Sequence, residues 1–211
     1  MATKSKRRLE KMAAAQKNLA RGGSGVAKAA KPAAKRAASA KAPKPAAKKS
    51  AGAHATQHAV EQFLYRQAEI LDAKRWQDYI DLFTEDGVYW MPADPADRHW
   101  DGIPSIFAED RNLITVRMKR VLHPDAWSQK PLWGTNHVVG NVIVEKEAAN
   151  GDVVVRSRFH MMELRRDTVR HFAGSYLHQL KKTADGYRIK MQRVDMTNAQ
   201  AAFEYVLQVW V

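Results

Sequence analysis

The sequence predicts an α+β domain in which helices come first and hairpin-linked strands follow. Apolar residues recur at helical spacing from about residue 57 to residue 83, and strand-like alternation begins near Asn136. Turn signals at Asn150-Gly151 and Asp185-Gly186 separate the later strands into hairpins. Helices followed by a run of strands are typical of the α+β class, and about 157 residues are enough to bury one core.

The first half of the domain is predicted to contain three helices and one strand. The predicted elements, in chain order, are a helix over about residues 57–72, a helix over 76–83, a strand over 88–92, a polar loop over 93–104 and a helix over 105–121. His123-Pro124 ends the last of these helices, because proline disfavours helical backbone in the residue before it.

The second half is predicted to consist of strands. Val and Ile dominate the first strand, and apolar residues alternate with Arg and His in the second. The predicted strands cover residues 137–146, 153–161, 169–182 and 187–195, followed by an extended segment over 203–211.

The basic character of the chain is confined to its first 54 residues. The whole chain carries 35 Lys and Arg, 22 Asp and Glu, and a formal net charge of +13. Residues 1–54 carry a net charge of +14, whereas residues 55–211 carry −1. Ala, Lys and Pro dominate the first segment, so we expect a disordered basic arm over 1–54 ahead of a domain over 55–211. Composition favours a solubilising role for this arm, with nonspecific nucleic-acid contact or organelle targeting as alternatives.

The chain contains no cysteine. It therefore cannot form disulfides, thiolate–zinc sites or cysteine-ligated iron–sulfur clusters, and it has no catalytic thiol. No apolar run approaches the roughly 18 residues of a membrane span, and no secretory apolar region follows the basic start. We therefore expect a cytoplasmic protein with no membrane partner.

Sequence motifs for cofactor binding are absent. The chain has no GxGxxG motif after a strand, no GxxxxGK[ST] motif, and neither HExxH nor HxH. His171 and His178 lie seven residues apart on one predicted strand, which places them on opposite faces of the sheet. We expect the histidines to be solvent-facing or hydrogen-bonded structural residues, and we predict no catalytic, cofactor-binding or metal-binding residue in this chain.

An apolar pocket inside such a domain would shift the pKa of a buried acid or base toward values suited to proton transfer. The residues that could serve such a pocket are Tyr89, Asp110, His137, His178 and Asp195. Each also has a simpler interpretation, since Asp110 can face solvent or pair with Arg111, and Asp195 can pair with Arg193 or a partner chain.

Two segments carry apolar side chains that fit either an interface or the core. Trp127 and Trp133 lie in an irregular stretch that contains Pro124 and Pro131. The segment Phe203–Val211 has apolar groups on both faces of an extended chain, which fits an assembly contact or the completion of the domain's own sheet.

Separated blocks of sequence resemble, in the same order, the small (β) subunits of bacterial aromatic-ring-hydroxylating dioxygenases. The blocks are FLYRQAEILD at 63–72, FTEDGVYWMP at 83–92, AWSQ at 126–129, NHVVGNV at 136–142, RI at 188–189 and RVDMTN at 193–198. The resemblance covers about residues 57–198 and says nothing about the basic arm.

The resemblance implies a cone-shaped α+β fold of the cystatin-like or ketosteroid-isomerase-like type, with a curved antiparallel sheet packed on N-terminal helices. It implies a non-catalytic, structural role in aromatic compound catabolism beside a large α subunit, with three copies of each chain. The α subunit would hold a Rieske [2Fe–2S] cluster and a mononuclear Fe(II), and a reductase or ferredoxin would supply its electrons. The missing cysteines agree, because a Rieske centre needs two Cys and two His.

A stand-alone isomerase, dehydratase or cyclase is the alternative, because the same fold includes such enzymes. That function requires an apolar pocket in which Asp, His or Tyr side chains converge. A cone filled by side chains such as Phe83, Trp90 and Met161 would argue against it.

Overall fold

The computed structural model describes residues 47–130, 133–200, 207 and 209–211, all within the unit Pro45–Val211. Most of the predicted basic arm, residues 1–46, lies outside the described residues. The elements are helix α1 (Ala47–Asp72), helix α2 (Trp76–Asp81), strand β1 (Phe83–Pro92), strand β2 (Ser105–Asp110), helix α3 (Arg111–Leu122), a 3-10 turn (Trp127–Gln129), and strands β3 (Trp133–Glu147), β4 (Val153–Arg165), β5 (Thr168–Thr183) and β6 (Gly186–Met196).

Helix α1 packs one apolar face against the sheet. Val60, Leu64 and Leu71 are buried at the spacing of one helical face. The helix begins at Ala47, earlier than the start predicted near residue 57. It ends at Asp72, because Lys74 adopts a left-handed conformation with φ +56° that does not continue the helix.

The predicted helix over residues 105–121 is wrong in its first third. Ser105–Asp110 forms strand β2, which pairs antiparallel with β1, and only Arg111–Leu122 is helical. The Asp110 side chain accepts a hydrogen bond from the Leu113 backbone N–H at 2.8 Å and so caps the start of helix α3. An N-cap residue has extended backbone, and the cap therefore separates the strand from the helix.

Strand β1 begins at Phe83 and not at the predicted residue 88. Its register against β6 shifts between Phe83 and Val88. A Cβ atom at Gly87 would lie 2.8 Å from the carbonyl oxygen of Ile189, so the close approach of β6 requires glycine there. The register shift is therefore a bulge inside the strand.

The sheet combines antiparallel hairpins with one parallel pair. Among the described residues its strand order is β2-β1-β6-β5-β4-β3. The hairpins predicted at Asn150-Gly151 and Asp185-Gly186 are present, and Gly151 has φ +84°. β1 runs parallel to β6, which the prediction of an antiparallel sheet did not include. The curved sheet packed on N-terminal helices nevertheless confirms the predicted fold class.

One face of the sheet and the helices enclose a core that is rich in aromatic residues. Phe83, Tyr79, Met161 and Tyr176 belong to this core. Trp90 does not, because it lies on the outer face, where its indole N–H donates to the Ser105 hydroxyl and the Arg193 guanidinium stacks 4.5 Å from its ring. Of the three side chains named as possible fillers of the cone, Phe83 and Met161 lie in the core, whereas Trp90 packs on the outer face of the sheet.

Residues after the sheet return into the core. Leu207, Val209, Trp210 and Val211 are at most 6% exposed, and Trp210 contacts the rings of Trp76 and Tyr79. Residues 203–206 and 208 of the predicted extended segment lie outside the described residues. Leu207, Val209, Trp210 and Val211 do not form a strand of the sheet. They fill the space between the sheet and the helices.

Candidate functional site

The interior of the cone contains a hydrogen-bonded polar cluster. The Oε1 atom of Gln192 accepts hydrogen bonds from the Gln67 side-chain amide at 2.7 Å and from the Tyr79 hydroxyl at 3.0 Å. The Gln192 side-chain amide donates to the carbonyl oxygen of Val211 at 3.3 Å, and the Val211 N–H donates to the Tyr89 hydroxyl at the same distance. The cluster therefore fixes Val211 inside the cone, in the space that a substrate would need.

Asp72 and His137 form a carboxylate–imidazole pair beneath the end of helix α1. Asp72 accepts hydrogen bonds from the Thr135 hydroxyl and the His137 N–H, both at 2.9 Å, and its Oδ1 lies 2.6 Å from His137 Nδ1. Burial raises the pKa of Asp72, but the hydrogen bonds from His137 outweigh burial and hold that pKa below its usual value. The pair fastens the helix to strand β3.

A carboxylate-oriented imidazole is also an arrangement that general acid–base catalysis uses. His137 Nε2 is buried and has no hydrogen-bond partner among the described residues. Three depressions on the described surface have volumes of about 360, 890 and 390 Å³, and neither Asp72 nor His137 lines any of them. None of these three depressions therefore gives a substrate access to the His137 imidazole.

His178 is buried on the core-facing side of β5, and His171 is exposed on the other side, as predicted. The His178 ring lies 5.4 Å from the Tyr176 ring, and neither of its nitrogens has a hydrogen-bond partner among the described residues. Burial lowers the pKa of His178 to about 3. The expectation of a solvent-facing or hydrogen-bonded residue is wrong here, because His178 is a packed, neutral core side chain.

The residues suggested for a pocket do not converge. Tyr89, His137 and His178 face the interior, where burial raises the pKa of the Tyr89 hydroxyl. Asp110 caps helix α3, and Asp195 forms the predicted pair with Arg193 at 2.7 Å. No hydrogen bond joins any two of these five residues within the described structure.

The buried glutamines and Asp72 were not singled out from the sequence. Gln67 and Gln192 are 4% and 0% exposed. A signal was present for Gln67, which follows Val60 and Leu64 at the spacing of the buried face of α1. A polar residue on an apolar stripe predicts a buried hydrogen bond, although the stripe cannot reveal the partner.

Apolar side chains are exposed around helix α3. Leu113, Val116 and Leu122 are 52%, 53% and 62% exposed, and Trp127 is 76% exposed. Trp133, by contrast, is buried and stacks on Trp76 with 6.0 Å between ring centroids. Of these two tryptophans, Trp127 alone therefore has the exposure of an interface residue.

Comparison with known proteins decides the family. The sequence profile described as "Ring hydroxylating beta subunit" matches residues 66–201. The chain belongs to this family. The anthranilate 1,2-dioxygenase small subunit of Acinetobacter baylyi is 32% identical over 145 residues, which are 66% of this chain and 88% of that protein.

Solved structures agree with this membership of the ring hydroxylating beta subunit family. The beta subunit of the benzoate 1,2-dioxygenase of Burkholderia mallei superposes with a TM-score of 0.57 at 26% identity, covering 70% of this chain and 95% of that one. A putative scytalone dehydratase of Novosphingobium aromaticivorans shares the fold, with a TM-score of 0.52 at 15% identity, covering 72% and 89%. This likeness shows a shared fold, and a fold alone does not assign a function.

The family places this chain among the small subunits of oxidoreductases. The cofactors of such dioxygenases lie in the α subunit. Within residues 47–130, 133–200, 207 and 209–211, no group of three or more His, Asp or Glu side chains is arranged to hold a metal ion. None of the described helices has the length and apolar character needed to cross a membrane.

Proposed function

We propose that this chain is a structural, non-catalytic β subunit of a Rieske-type aromatic-ring-hydroxylating dioxygenase that acts in aromatic compound catabolism. It binds a large α subunit, with three copies of each chain in the assembly. The α subunit carries the Rieske [2Fe–2S] cluster and the mononuclear Fe(II) and receives electrons from a reductase or ferredoxin. The cytoplasmic location expected from the sequence is part of this proposal.

The observation that best supports the proposal is that the chain's own side chains fill the interior of the cone. Trp210 and Val211 are 1% and 0% exposed in the space between the sheet and the helices. Their backbone and side-chain contacts are to the chain's own residues, Gln192, Tyr89 and Trp76. A domain whose interior is occupied by its own side chains has no room there for a substrate, which supports a structural role.

A stand-alone isomerase, dehydratase or cyclase is favoured by one feature, the Asp72–His137 pair. Such an enzyme needs a pocket that leads a substrate to the imidazole. Packing around the pair and the occupied interior speak against this function, and the fold resemblance to a dehydratase supports a shared architecture only.

We expect the chain to co-purify with its α subunit. The two chains should be co-expressed with an affinity tag on the α subunit, and the complex measured by light scattering after gel filtration. The expected result is a stoichiometric complex in which all iron belongs to the α subunit.

The isolated chain is the control for this experiment. Expressed alone, it should contain no iron and oxidise no arene when reductase and ferredoxin are supplied. Hydroxylation of an aromatic compound by the isolated chain would overturn the proposal, and so would failure of the co-expressed chains to associate.

The part of the basic arm that precedes helix α1 is expected to be dispensable for this assembly. Its charge of +14 over residues 1–54 contrasts with −1 over residues 55–211, and the family profile begins only at residue 66. Deletion of residues 2–44, which leaves helix α1 whole, should retain the co-purified complex with less than about a twofold change in yield. A complex that disappears on this deletion would identify the arm as a docking element.

A further inference from the structure

We propose that a groove beside helix α3 is the docking site for an acidic, partly apolar segment of the α subunit. This α3 groove is the depression of about 890 Å³ between β2, helix α3 and the loop over residues 123–130, and Phe107, Leu113, Val116 and Trp127 are among its lining residues. The inference rests on the proposed function, because it names the surface by which the two subunits meet.

Helix α3 presents apolar side chains on two of its faces. Ile114 and Met118 are 0% and 9% exposed and pack into the core. Leu113 and Val116 point away from the core and are 52% and 53% exposed, and the Trp127 ring beside them is 76% exposed. A soluble chain leaves so much clustered apolar surface uncovered mainly where a partner binds. Trp is also enriched among the residues that contribute most to binding energy.

The charges around the groove specify the partner. Helix α3 contains Arg111, Arg117, Lys119 and Arg120 but no acidic residue. Arg111 pairs with Asp81 and Arg117 with Glu109, both at 3.2 Å. Lys119 and Arg120 are exposed, and neither has an ion-pair partner among the described residues.

Further positive charge lies at the other side of the groove. The Lys130 ammonium group lies 3.8 Å from the centre of the Trp127 ring, and Asp125 is an acidic lining residue that offsets part of the positive charge. Lys119 and Arg120 therefore form a local positive patch on a domain whose net charge over residues 55–211 is −1. The matching partner surface therefore carries apolar side chains flanked by Asp or Glu.

Other occupants fit these charges less well. A second copy of this chain that met the groove with its own groove would bring its own Lys119 and Arg120 toward the same cationic rim. An acidic segment of the α subunit satisfies both the apolar lining and the charge.

Two groove variants test this inference in the co-expressed complex. Val116→Glu places a carboxylate among the apolar lining residues. The double variant Lys119→Glu with Arg120→Glu replaces the two positive charges at the rim of the groove by negative ones. The matched controls lie on the outer face of the sheet, where Val138 is 61% exposed and Arg158 is also exposed. They are Val138→Glu and Arg158→Glu, and circular dichroism checks the folding of each variant.

We expect each groove variant to weaken retention on the tagged α subunit by at least about tenfold, and each control by less than about twofold. Retention of both groove variants at the wild-type level would overturn the inference, and so would a loss confined to the controls. If Val116→Glu does not fold, the test of the inference rests on the Lys119→Glu, Arg120→Glu variant, whose two positions are exposed. Failure of the wild-type chain to bind the α subunit would instead overturn the proposed function.

Discussion

Replacement of Trp210 by alanine is expected to lower the free energy of unfolding by about 3–5 kcal/mol, the usual cost of removing a buried tryptophan. Trp210 is 1% exposed, and its ring centroid lies 5.1 Å from that of Trp76 and 5.7 Å from that of Tyr79. The Arg117 guanidinium lies 4.6 Å from the Trp210 ring and 3.9 Å from that of Phe107. The substitution therefore leaves a cavity and also exposes one face of this cation–π contact.

Urea denaturation followed by far-ultraviolet circular dichroism measures this effect without relying on tryptophan fluorescence. Trp127→Ala is the matched control, because Trp127 is 76% exposed and its loss should change the free energy of unfolding by no more than about 0.5 kcal/mol. Equal, small losses for the two variants would show that Trp210 does not fill the core in solution.

The second large effect is a loss of stability in acid that depends on His178. The unfolded chain binds a proton at this histidine near pH 6.5, whereas burial lowers the pKa of the folded group to about 3. Between these values the unfolded state holds a proton that the folded state does not, so acidification favours unfolding. The loss approaches about 1.4 kcal/mol per pH unit and totals about 4–5 kcal/mol by pH 3.

His178→Phe should remove this contribution, because phenylalanine has a similar shape and no titratable nitrogen. Urea midpoints measured at intervals from pH 7 to pH 4 should fall less steeply for the variant than for the wild-type chain. His171→Phe, on the opposite face of the same strand, controls for the loss of a histidine as such. Identical pH dependence in the wild-type chain and the His178 variant would contradict the burial of this ring.

Local sequence signals predicted most of the fold. The Asn150-Gly151 turn and the alternation over residues 153–161 needed only neighbouring residues, and both predictions are confirmed. Ser105–Asp110 was predicted as the first part of a helix over residues 105–121. The pairing of this stretch with β1 is a tertiary contact, and it overrides local propensity.

The interior of the cone was less predictable from the sequence. Gln67 and Gln192 are hydrogen-bonded at 2.7 Å although 125 residues separate them. Spacing within one element cannot show which distant polar groups meet. The opposite placement of His171 and His178 was predictable, because it depends only on the two-residue period of a strand.

The parallel pairing of β1 with β6 has a consequence for the order in which the protein can fold. Phe83 pairs with Ile189, roughly 100 residues later in the chain, so this contact has a large loop-closure cost and forms slowly. A ribosome that has made α1, β1 and β2 still has four strands of the sheet to synthesise. During that interval one edge of β1 has unpaired backbone N–H and C=O groups, which are a template for pairing with other chains. Until β6 emerges, β1 of the nascent chain therefore has an exposed strand edge that favours aggregation.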